Sequence, residues 1–323
     1  MSEIQQFYGE RWTKQTKTLL NKLGWCQVGS SNFDIPCINK SAHGSKEDTE
    51  RKNDHGIDLL YKYYDPFLGD NLNIIVESKK RNWAGVTKSN IESFLKQVLQ
   101  TMECADISEK IQQLGVTGVR NGLLMIWCDE TEQYNYEKVK EYLSDISVSG
   151  KRSPKTIYVA TNNEILRWVS LVDYKERIEG RSESFEFFYP SSIYGKKRSI
   201  ANQKSYINLI QLFSSYIFAK STKIEHHSRG TNLININHVF YFAEPTKEEL
   251  NIMYKLVSEY FQFESADELH IHFYGEQVAY REAINEFIRT KRDYIQSNSS
   301  TLKMEYSYMN EFKTIPEDYF GEE

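Results

Sequence analysis

Cysteine and proline are scarce in this sequence. Among 323 residues there are only four cysteines and six prolines. The cysteines are far apart and show none of the paired spacings that predict a zinc site or a disulfide framework. We therefore expect ordinary reduced thiols at Cys26, Cys37, Cys104 and Cys128. There is also no repeat of fixed period and no low-complexity tract, which excludes a solenoid.

Long hydrophobic runs are also missing. No apolar segment approaches the roughly 18 to 20 residues that a membrane span requires. The N-terminal segment, MSEIQQFYGERW, lacks the basic, apolar and small-residue regions of a signal peptide. These absences predict a cytoplasmic protein with no membrane association.

The chain as a whole has no excess of positive charge. Its formal net charge is −5. Because affinity for nucleic acid comes largely from Lys and Arg, a protein that only coats nucleic acid is disfavoured. The local balance differs: residues 194–229 contain seven Lys or Arg and one acid, whereas residues 301–323 contain two Lys and six acids.

The sequence does contain enough apolar and aromatic residues for a sizeable core. Hydrophobic residues make up 40% of the chain, with 22 Tyr and 17 Phe, and the length favours two domains. In the first half the pattern predicts a helix, a long polar loop, an antiparallel hairpin, a second helix, and a strand–helix–strand crossover. The first helix is expected at 6–23, the loop at 30–53, the hairpin strands at 57–64 and 72–76, and the second helix at 89–104. The crossover is expected to consist of a strand at 122–128, a helix at 136–143 and a strand at 156–160.

The second half has its own α/β alternation. The pattern predicts helices at 206–218, 246–261 and 278–294 and strands at 239–242, 269–274 and 302–308. The helix at 246–261 begins with a capping box formed by Thr246 and Glu249. We therefore predict an α/β protein in which residues 1–192 form one domain, residues 193–202 a basic linker, and residues 203–323 a second α/β domain for partner binding, specificity or regulation.

One cluster of charged residues indicates chemistry. Gly56-Ile57-Asp58 opens the first strand of the hairpin, and the second strand ends in Glu77-Ser78-Lys79. Because side chains alternate along a strand, Glu77 and Lys79 share a face, and hairpin pairing can bring Asp58 beside them. Two close carboxylates repel each other unless a cation neutralises them, so the pair suits Mg²⁺ or Mn²⁺. With Lys79 available to stabilise charge on a phosphate, the cluster predicts metal-assisted phosphodiester hydrolysis.

The spacing of Gly56-Ile57-Asp58, 18 intervening residues and Glu77-Ser78-Lys79 resembles the signature of the PD-(D/E)XK nuclease superfamily, with some likeness to its Mrr-type branch. The resemblance covers about residues 1–170. It implies the restriction-endonuclease-like fold, a mixed sheet flanked by helices, with Asp58 and Glu77 as metal ligands and Lys79 as the catalytic lysine. His55-Gly56 occupies the place of the proline that names the superfamily.

The same resemblance implies two further site residues. In this superfamily a Glu on the leading helix often completes the metal site, and a Gln is common on the helix after the lysine strand. Glu10 and Gln97 are the matching residues. Candidate contacts to nucleic-acid phosphates are Lys80, Arg81, Lys88, Lys196, Lys197 and Arg198. For each of these charged residues the alternative is a solvated surface charge.

Other motifs carry less information. His270 and His272 share a strand face, but no third ligand is evident in the sequence, so ordinary strand histidines are favoured over a metal site. Neither a Gly-x-x-x-x-Gly-Lys-Ser/Thr loop nor a Gly-x-Gly-x-x-Gly turn occurs, which disfavours an ATP-driven motor and a nicotinamide enzyme.

Together these observations predict a Mg²⁺- or Mn²⁺-dependent DNA endonuclease, acting as a homodimer or with a second protein subunit. A role in prokaryotic defence against foreign DNA follows by analogy with restriction systems of the superfamily. Two alternatives stay open. One is an RNA- or tRNA-cleaving toxin with the same site, and the other is a catalytically silent interaction subunit with the same fold.

Overall fold

The computed structural model of the protein describes residues 3–44, 50–148, 154–190, 203–228, 230–260, 266–298 and 301–320. Within these residues the strands form three sheets, and the chain divides into two units. Unit 1 takes its residues from Met1–Asp65, Gly69–Leu166 and Lys313–Glu323. Unit 2 takes its residues from Pro66–Leu68 and Arg167–Phe312. None of the described helices is both long and apolar enough to cross a membrane.

The elements of unit 1 follow the predicted order closely. They are α1 (Glu3–Lys22), β1 (Phe33–Ile35), β2 (His55–Ile57), β3 (Leu59–Asp65), β4 (Asp70–Arg81), α2 (Lys88–Ala105), α3 (Glu109–Gln113), β5 (Asn121–Cys128), α4 (Tyr136–Ser144), β6 (Thr156–Ala160) and the start of α5 (Asn162–Glu179).

The central sheet of unit 1 is mixed and has the strand order β3-β4-β5-β6. The hairpin strands β3 and β4 are antiparallel, whereas β4, β5 and β6 run parallel. A parallel pair needs a crossover connection, and α4 provides it between β5 and β6. The predicted hairpin, crossover and flanked mixed sheet are confirmed.

Helices α1 and α2 cover opposite faces of this sheet. Leu124 and Ile126 of β5 lie in the same buried cluster as Val98 of α2, whereas Trp127 stacks on Trp12 of α1 with ring centroids 5.9 Å apart. Adjacent residues of a strand point to opposite faces, so the even-numbered side chains of β5 face α2 and the odd-numbered ones face α1.

The predicted loop at 30–53 is only partly a loop. Phe33–Ile35 forms β1 and pairs antiparallel with β2, His55–Ile57. The alternating burial of Phe33, Asp34 and Ile35 explains this strand, because two apolar side chains point into the core around an exposed acid. Because the strand has only three residues and polar residues flank it, its apolar alternation is difficult to recognise in the sequence.

The elements of unit 2 begin with the end of α5. They continue with β7 (Ser184–Phe188), β8 (Gln203–Lys204), α6 (Leu209–Leu212), β9 (Tyr216–His227), β10 (Gly230–Tyr241), α7 (Lys247–Lys255), a π-helical turn (Leu256–Tyr260), β11 (Glu268–Tyr274), α8 (Arg281–Ser297) and β12 (Lys303–Met309). The strands form a six-stranded sheet with the order β12-β11-β10-β9-β7-β8. A buried cluster of aliphatic and aromatic side chains joins this sheet to helices α7 and α8.

Two expectations for this half need correction. The helix predicted at 206–218 is a single short helix, α6, followed by β9, which pairs with β10 over twelve residues. The sequence pattern predicts a first domain that extends to residue 192, but β7 pairs with β9 in the sheet of unit 2. The capping box is confirmed, because the Thr246 side chain accepts a hydrogen bond from the backbone N–H of Glu249. The expected linker at 193–202 lies outside the described residues.

Candidate active site

The two strands of the hairpin bring the predicted acids together. Asp58 occupies the one-residue break between β2 and β3. The next residue, Leu59, pairs with Val76 of β4, so Asp58 stands beside the position that Glu77 occupies. Because β3 begins only at Leu59, the edge of β4 beyond Val76 has no backbone partner from that strand.

The Asp58 carboxylate takes the place of the missing strand partner. Its Oδ2 accepts a hydrogen bond from the backbone N–H of Ser78 at 2.7 Å and another from the Ser78 hydroxyl at 2.8 Å. The Ser78 hydroxyl also lies 2.8 Å from the hydroxyl of Thr13 on α1. These contacts fix the orientation of the carboxylate and leave Oδ1 as the oxygen that no described hydrogen bond occupies.

Glu77 and Lys79 lie together on the face of β4 that α2 covers. Glu77 is level with Leu124 and Lys79 with Ile126 in the parallel register with β5. The ammonium of Lys79 donates a hydrogen bond to the carboxylate of Glu77. The ring of Phe94 on α2 lies 5.7 Å from Lys79 Nζ, measured to its centroid. The expectation that Glu77 and Lys79 share a face therefore agrees with the observed geometry.

Glu77 is a strongly perturbed acid. It is only 3% exposed, and burial together with the charge of Asp58 raises the pKa of Glu77 to about 7, although Lys79 acts in the opposite direction. Removing a carboxylate from water disfavours its charged form, and a second nearby carboxylate adds to that effect.

The donor set at this site fits a divalent cation. Oriented carboxylate oxygens are the ligands that Mg²⁺ and Mn²⁺ prefer. Burial, together with the charge of Asp58, disfavours the ionised form of Glu77, and Lys79 does not fully offset these effects. A cation held by Asp58 and Glu77 would stabilise the ionised form.

Glu10 is not assembled with the two acids. It is exposed on α1, the helix on the opposite face of the sheet from Glu77 and Lys79. Among the residues that the structure describes, Asp58, Glu77 and Glu10 do not form a set of three ligand atoms within 4.8 Å of one another. Its predicted role as a metal ligand stays a prediction.

Gln97 lies on the appropriate helix. It is half-buried on α2, one turn after Phe94, whose ring also packs against the Arg81 guanidinium at 4.9 Å. The Gln97 backbone carbonyl accepts a hydrogen bond from Thr101. The helix thus places Gln97 on the same side of the sheet as Lys79, and its catalytic role stays a prediction.

The basic residues near the site have different surroundings. Lys80 Nζ lies 3.7 Å from an Asp129 oxygen, and Lys88 Nζ lies 3.1 Å from an Asp145 oxygen. Arg81 is half-buried, and burial lowers the pKa of its guanidinium from the usual value. Surface ion pairs of this kind are weak, so a phosphate can compete for both lysines. Lys196, Lys197 and Arg198 lie outside the described residues.

Several residues around these sites are not recognisable from the sequence. Ser78 and Thr13 are uncharged, and no spacing rule selects them. In unit 2, His238 of β10 joins His270 and His272, so the third imidazole that was not evident in the sequence is present. The parallel register of β10 and β11 places His238 beside His270.

A mixed sheet between two helices, with Asp58, Glu77 and Lys79 at the end of its hairpin, defines a PD-(D/E)XK nuclease domain. The model of the family described as the GAPS4 protein PD-(D/E)XK nuclease domain matches residues 1–164. That match covers half of the chain, and the chain belongs to this family. No curated protein matches the chain. The predicted superfamily and fold are confirmed, and unit 1 is a nuclease domain that interacts with nucleic acid.

Proposed function

We propose that the protein is a divalent-metal-dependent endonuclease that hydrolyses phosphodiester bonds of DNA. The observation that supports this most is the buried Glu77 carboxylate, which experiences the charge of Asp58 and forms an ion pair with the ammonium of Lys79. An acid pair held in this way is costly to build unless a cation binds to it.

Each of the three residues has a separate part in the proposed reaction. Asp58, oriented by Ser78, and Glu77 would hold Mg²⁺ or Mn²⁺ through their carboxylate oxygens. The bound ion supplies Lewis-acid chemistry at a phosphate oxygen. The Lys79 amine lies beside the pair, where it can orient a water molecule and stabilise negative charge that develops on the phosphate.

DNA is the proposed substrate, and the protein is proposed to act as a homodimer or with a second subunit. The net charge of −5 supports the need for such help, because phosphate contacts dominate nucleic-acid affinity. Defence of a prokaryotic cell against foreign DNA is the proposed context, by analogy with restriction systems.

Cleavage of defined substrates tests the proposal. The full-length protein is incubated with supercoiled plasmid, linear DNA, single-stranded RNA and tRNA, each with Mg²⁺, Mn²⁺ or EDTA. We expect nicking or cutting of DNA that requires the divalent ion. Cleavage of tRNA or RNA with DNA left intact would instead establish the toxin alternative.

Variants connect the activity to the site. Asp58→Ala, Glu77→Gln and Lys79→Ala should each reduce cleavage by more than about 100-fold. Lys79→Ala should still bind Mn²⁺ in a calorimetric titration, since both carboxylates remain. Lys140→Ala is a matched control, because Lys140 is an exposed lysine of α4 paired with Glu137. Wild-type cutting rates in Lys79→Ala would rule out the assignment, and absence of cleavage with every substrate and added ion would favour the silent subunit.

A further inference from the structure

Unit 1 contains a second group of metal-binding side chains, separate from the acid pair. Cys37, His43, His55 and Cys104 are all buried, and each offers one potential ligand atom. All four ligand atoms lie within 4.8 Å of one another. They come from the loop after β1, the start of β2 and the end of α2, so no sequence motif reveals them.

The distances within the group match tetrahedral zinc. His43 Nδ1 lies 3.4 Å from Cys37 Sγ, 3.5 Å from Cys104 Sγ and 3.2 Å from His55 Nε2. Zinc binds thiolate sulfur at about 2.3 Å and imidazole nitrogen at about 2.0–2.1 Å, so a tetrahedral arrangement separates ligand atoms by roughly 3.3–3.8 Å. The observed separations that involve His43 lie close to this range.

The hydrogen-bond partners of His43 Nε2 and His55 Nδ1 determine which nitrogen of each imidazole carries the proton. His43 Nε2 lies 3.0 Å from a Glu103 oxygen, and a carboxylate can only accept, so Nε2 carries the proton. His55 Nδ1 lies 3.4 Å from the Thr101 hydroxyl, which already donates to a backbone carbonyl. The hydroxyl therefore accepts from His55 Nδ1–H.

When both rings are neutral, the two nitrogens that face each other across 3.2 Å, His43 Nδ1 and His55 Nε2, are both unprotonated. Neither can then donate a hydrogen bond to the other, so the pair needs a shared cation, which is either a proton or a metal ion. The sulfur atoms of Cys37 and Cys104 beside His43 Nδ1 favour the metal ion. Imidazoles that bind a metal typically donate a hydrogen bond from their other ring nitrogen to a neighbouring acceptor, and both of these rings have such a partner. In unit 2, by contrast, His238 and His272 form a hydrogen-bonded chain that ends on Ser221 and Ser307, which satisfies these two rings without a metal.

We propose that Cys37, His43, His55 and Cys104 bind one structural Zn²⁺. Two thiolates and two imidazoles select zinc over Mg²⁺ or Ca²⁺, which prefer oxygen. Four protein ligands leave no open position, as in structural sites rather than catalytic ones. A cavity of about 240 Å³ is lined by His43 and by Glu103, which holds the outer nitrogen of that ring.

The ion would connect three parts of the nuclease domain. It links the loop after β1 to β2 and to α2, the helix that carries Phe94 and Gln97. His55 is also only three residues before Asp58. Loss of zinc should therefore loosen the segment that positions Asp58, as well as lower the stability of unit 1.

Metal analysis of the full-length protein tests the proposal without relying on activity. Mass spectrometry of the purified wild-type protein should find about one zinc per chain. Removal by 1,10-phenanthroline with Mg²⁺ present should lower the Tm by about 10 °C or more, and added Zn²⁺ should restore it. The protein reconstituted with Co²⁺ should show the visible bands of a tetrahedral site and a thiolate-to-cobalt charge-transfer band.

Cysteine variants locate the ion. Cys37→Ser and Cys104→Ser should lose zinc and the charge-transfer band, whereas Cys26→Ser and Cys128→Ser, at one exposed and one buried thiol outside the group, should keep both. If the first two variants do not fold, the wild-type zinc content and cobalt spectrum decide. A zinc-free wild-type protein that binds no added Zn²⁺ would overturn the proposal. So would a disulfide between Cys37 and Cys104, seen as an intact mass lower by two hydrogen atoms and located by mapping the linked peptides after proteolysis.

Discussion

Glu77 combines burial with a neighbouring acid, and this makes metal binding at the active site sensitive to pH. Burial and the charge of Asp58 raise the pKa of Glu77 to about 7. A divalent cation needs the ionised carboxylate and must displace the proton at lower pH. We expect the apparent affinity for Mn²⁺ to fall about tenfold for each pH unit below 7 and to level off above it. Calorimetric titrations from pH 5.5 to 8.5 measure this, with Glu77→Gln as the control.

For the metal-free protein, the raised pKa of Glu77 predicts a dependence of stability on pH that runs in the opposite direction. In the unfolded chain a Glu releases its proton near pH 4.5, whereas folded Glu77 keeps it until about pH 7. The folded state therefore binds more protons between these values, and the contribution of Glu77 to stability is full below pH 4.5 and is lost as the pH rises through 7. The prediction on metal binding has its own contradicting outcome: an affinity for Mn²⁺ that does not change with pH would show that Glu77 is not a ligand.

Ser78 is expected to act by positioning Asp58. Its hydroxyl donates one of the two hydrogen bonds that Asp58 Oδ2 accepts, and partners of this kind typically contribute 10- to 100-fold in metal affinity. Ser78→Ala should weaken Mn²⁺ binding by about tenfold with little change in the Tm. Thr13→Val is the matched control, since it removes the other contact of the Ser78 hydroxyl and leaves Asp58 bound. Equal affinities for Mn²⁺ in Ser78→Ala and wild type would contradict this role.

For individual residues, the sequence predicts that side chains lie together only where a local rule relates their positions. Strand alternation puts Glu77 and Lys79 on one face, and the hairpin brings Asp58 to them. Ser78 could not be predicted, because its role depends on β3 beginning only at Leu59. Cys37 and Cys104 could not be paired, because a tertiary contact between a loop and the end of α2 brings them together.

At the scale of elements, the packing of α2 on β5 depends on Gly122. A Cβ atom at this position would lie 2.9 Å from Met102 Sδ and 2.9 Å from Val98 Cγ1. Gly122→Ala should therefore destabilise the protein by about 1–3 kcal/mol through overpacking. It should also reduce cleavage, because α2 carries Phe94 and Gln97. Urea unfolding and cleavage rates measure the two effects.

Gly9 provides the matched control for this substitution. It lies in α1, and an added Cβ would meet no atom within 4 Å. Gly9→Ala should raise the stability by roughly 0.5–1 kcal/mol, since Ala is the better helix former. A Gly122→Ala protein as stable as Gly9→Ala would show that α2 can move away from β5 without cost.

Hydrophobic periodicity predicts most of the helices and strands correctly. It fails at 206–218, where the chain changes direction within a segment rich in apolar residues. Ile207, Leu209, Leu212 and Phe218 suggest one helix, but α6 ends at Leu212 and a turn leads into β9. Twelve residue pairs with β10 then favour the strand, and this pairing is not visible in the local sequence. The alternating burial of β7 is a local signal for a strand, yet the choice of sheet is again a long-range property.

At the scale of the whole molecule, the boundary between units is not a single point in the sequence. Residues 167–190 contribute to unit 2, and the segment after Phe312 belongs to unit 1. The expected division at 192 assumed that each domain is one continuous stretch. A fragment ending there would carry β7 without β9 and would lack the C-terminal segment of unit 1, so it is a poor test of whether the nuclease domain folds alone.

The C-terminal segment should therefore stabilise the nuclease domain. Tyr319 is 2% exposed, and Lys22 Nζ of α1 lies 5.2 Å from the centroid of its ring. Tyr319→Ala should lower the free energy of unfolding of unit 1 by roughly 3 kcal/mol. Four of the five tryptophans, at positions 12, 25, 83 and 127, belong to unit 1, so urea unfolding followed by tryptophan fluorescence reports mainly on that unit.

Tyr294→Ala is the control, because Tyr294 is 59% exposed on α8 of unit 2 and its removal should change stability by no more than about 0.5 kcal/mol. Tyr319→Ala should shift the fluorescence transition to lower urea, and Tyr294→Ala should leave it in place. A division at residue 192 predicts a different result, because residues 203–323 would then form one body. In that case Tyr319→Ala would lower a transition seen by circular dichroism and leave the tryptophan signal of residues 12–127 unchanged.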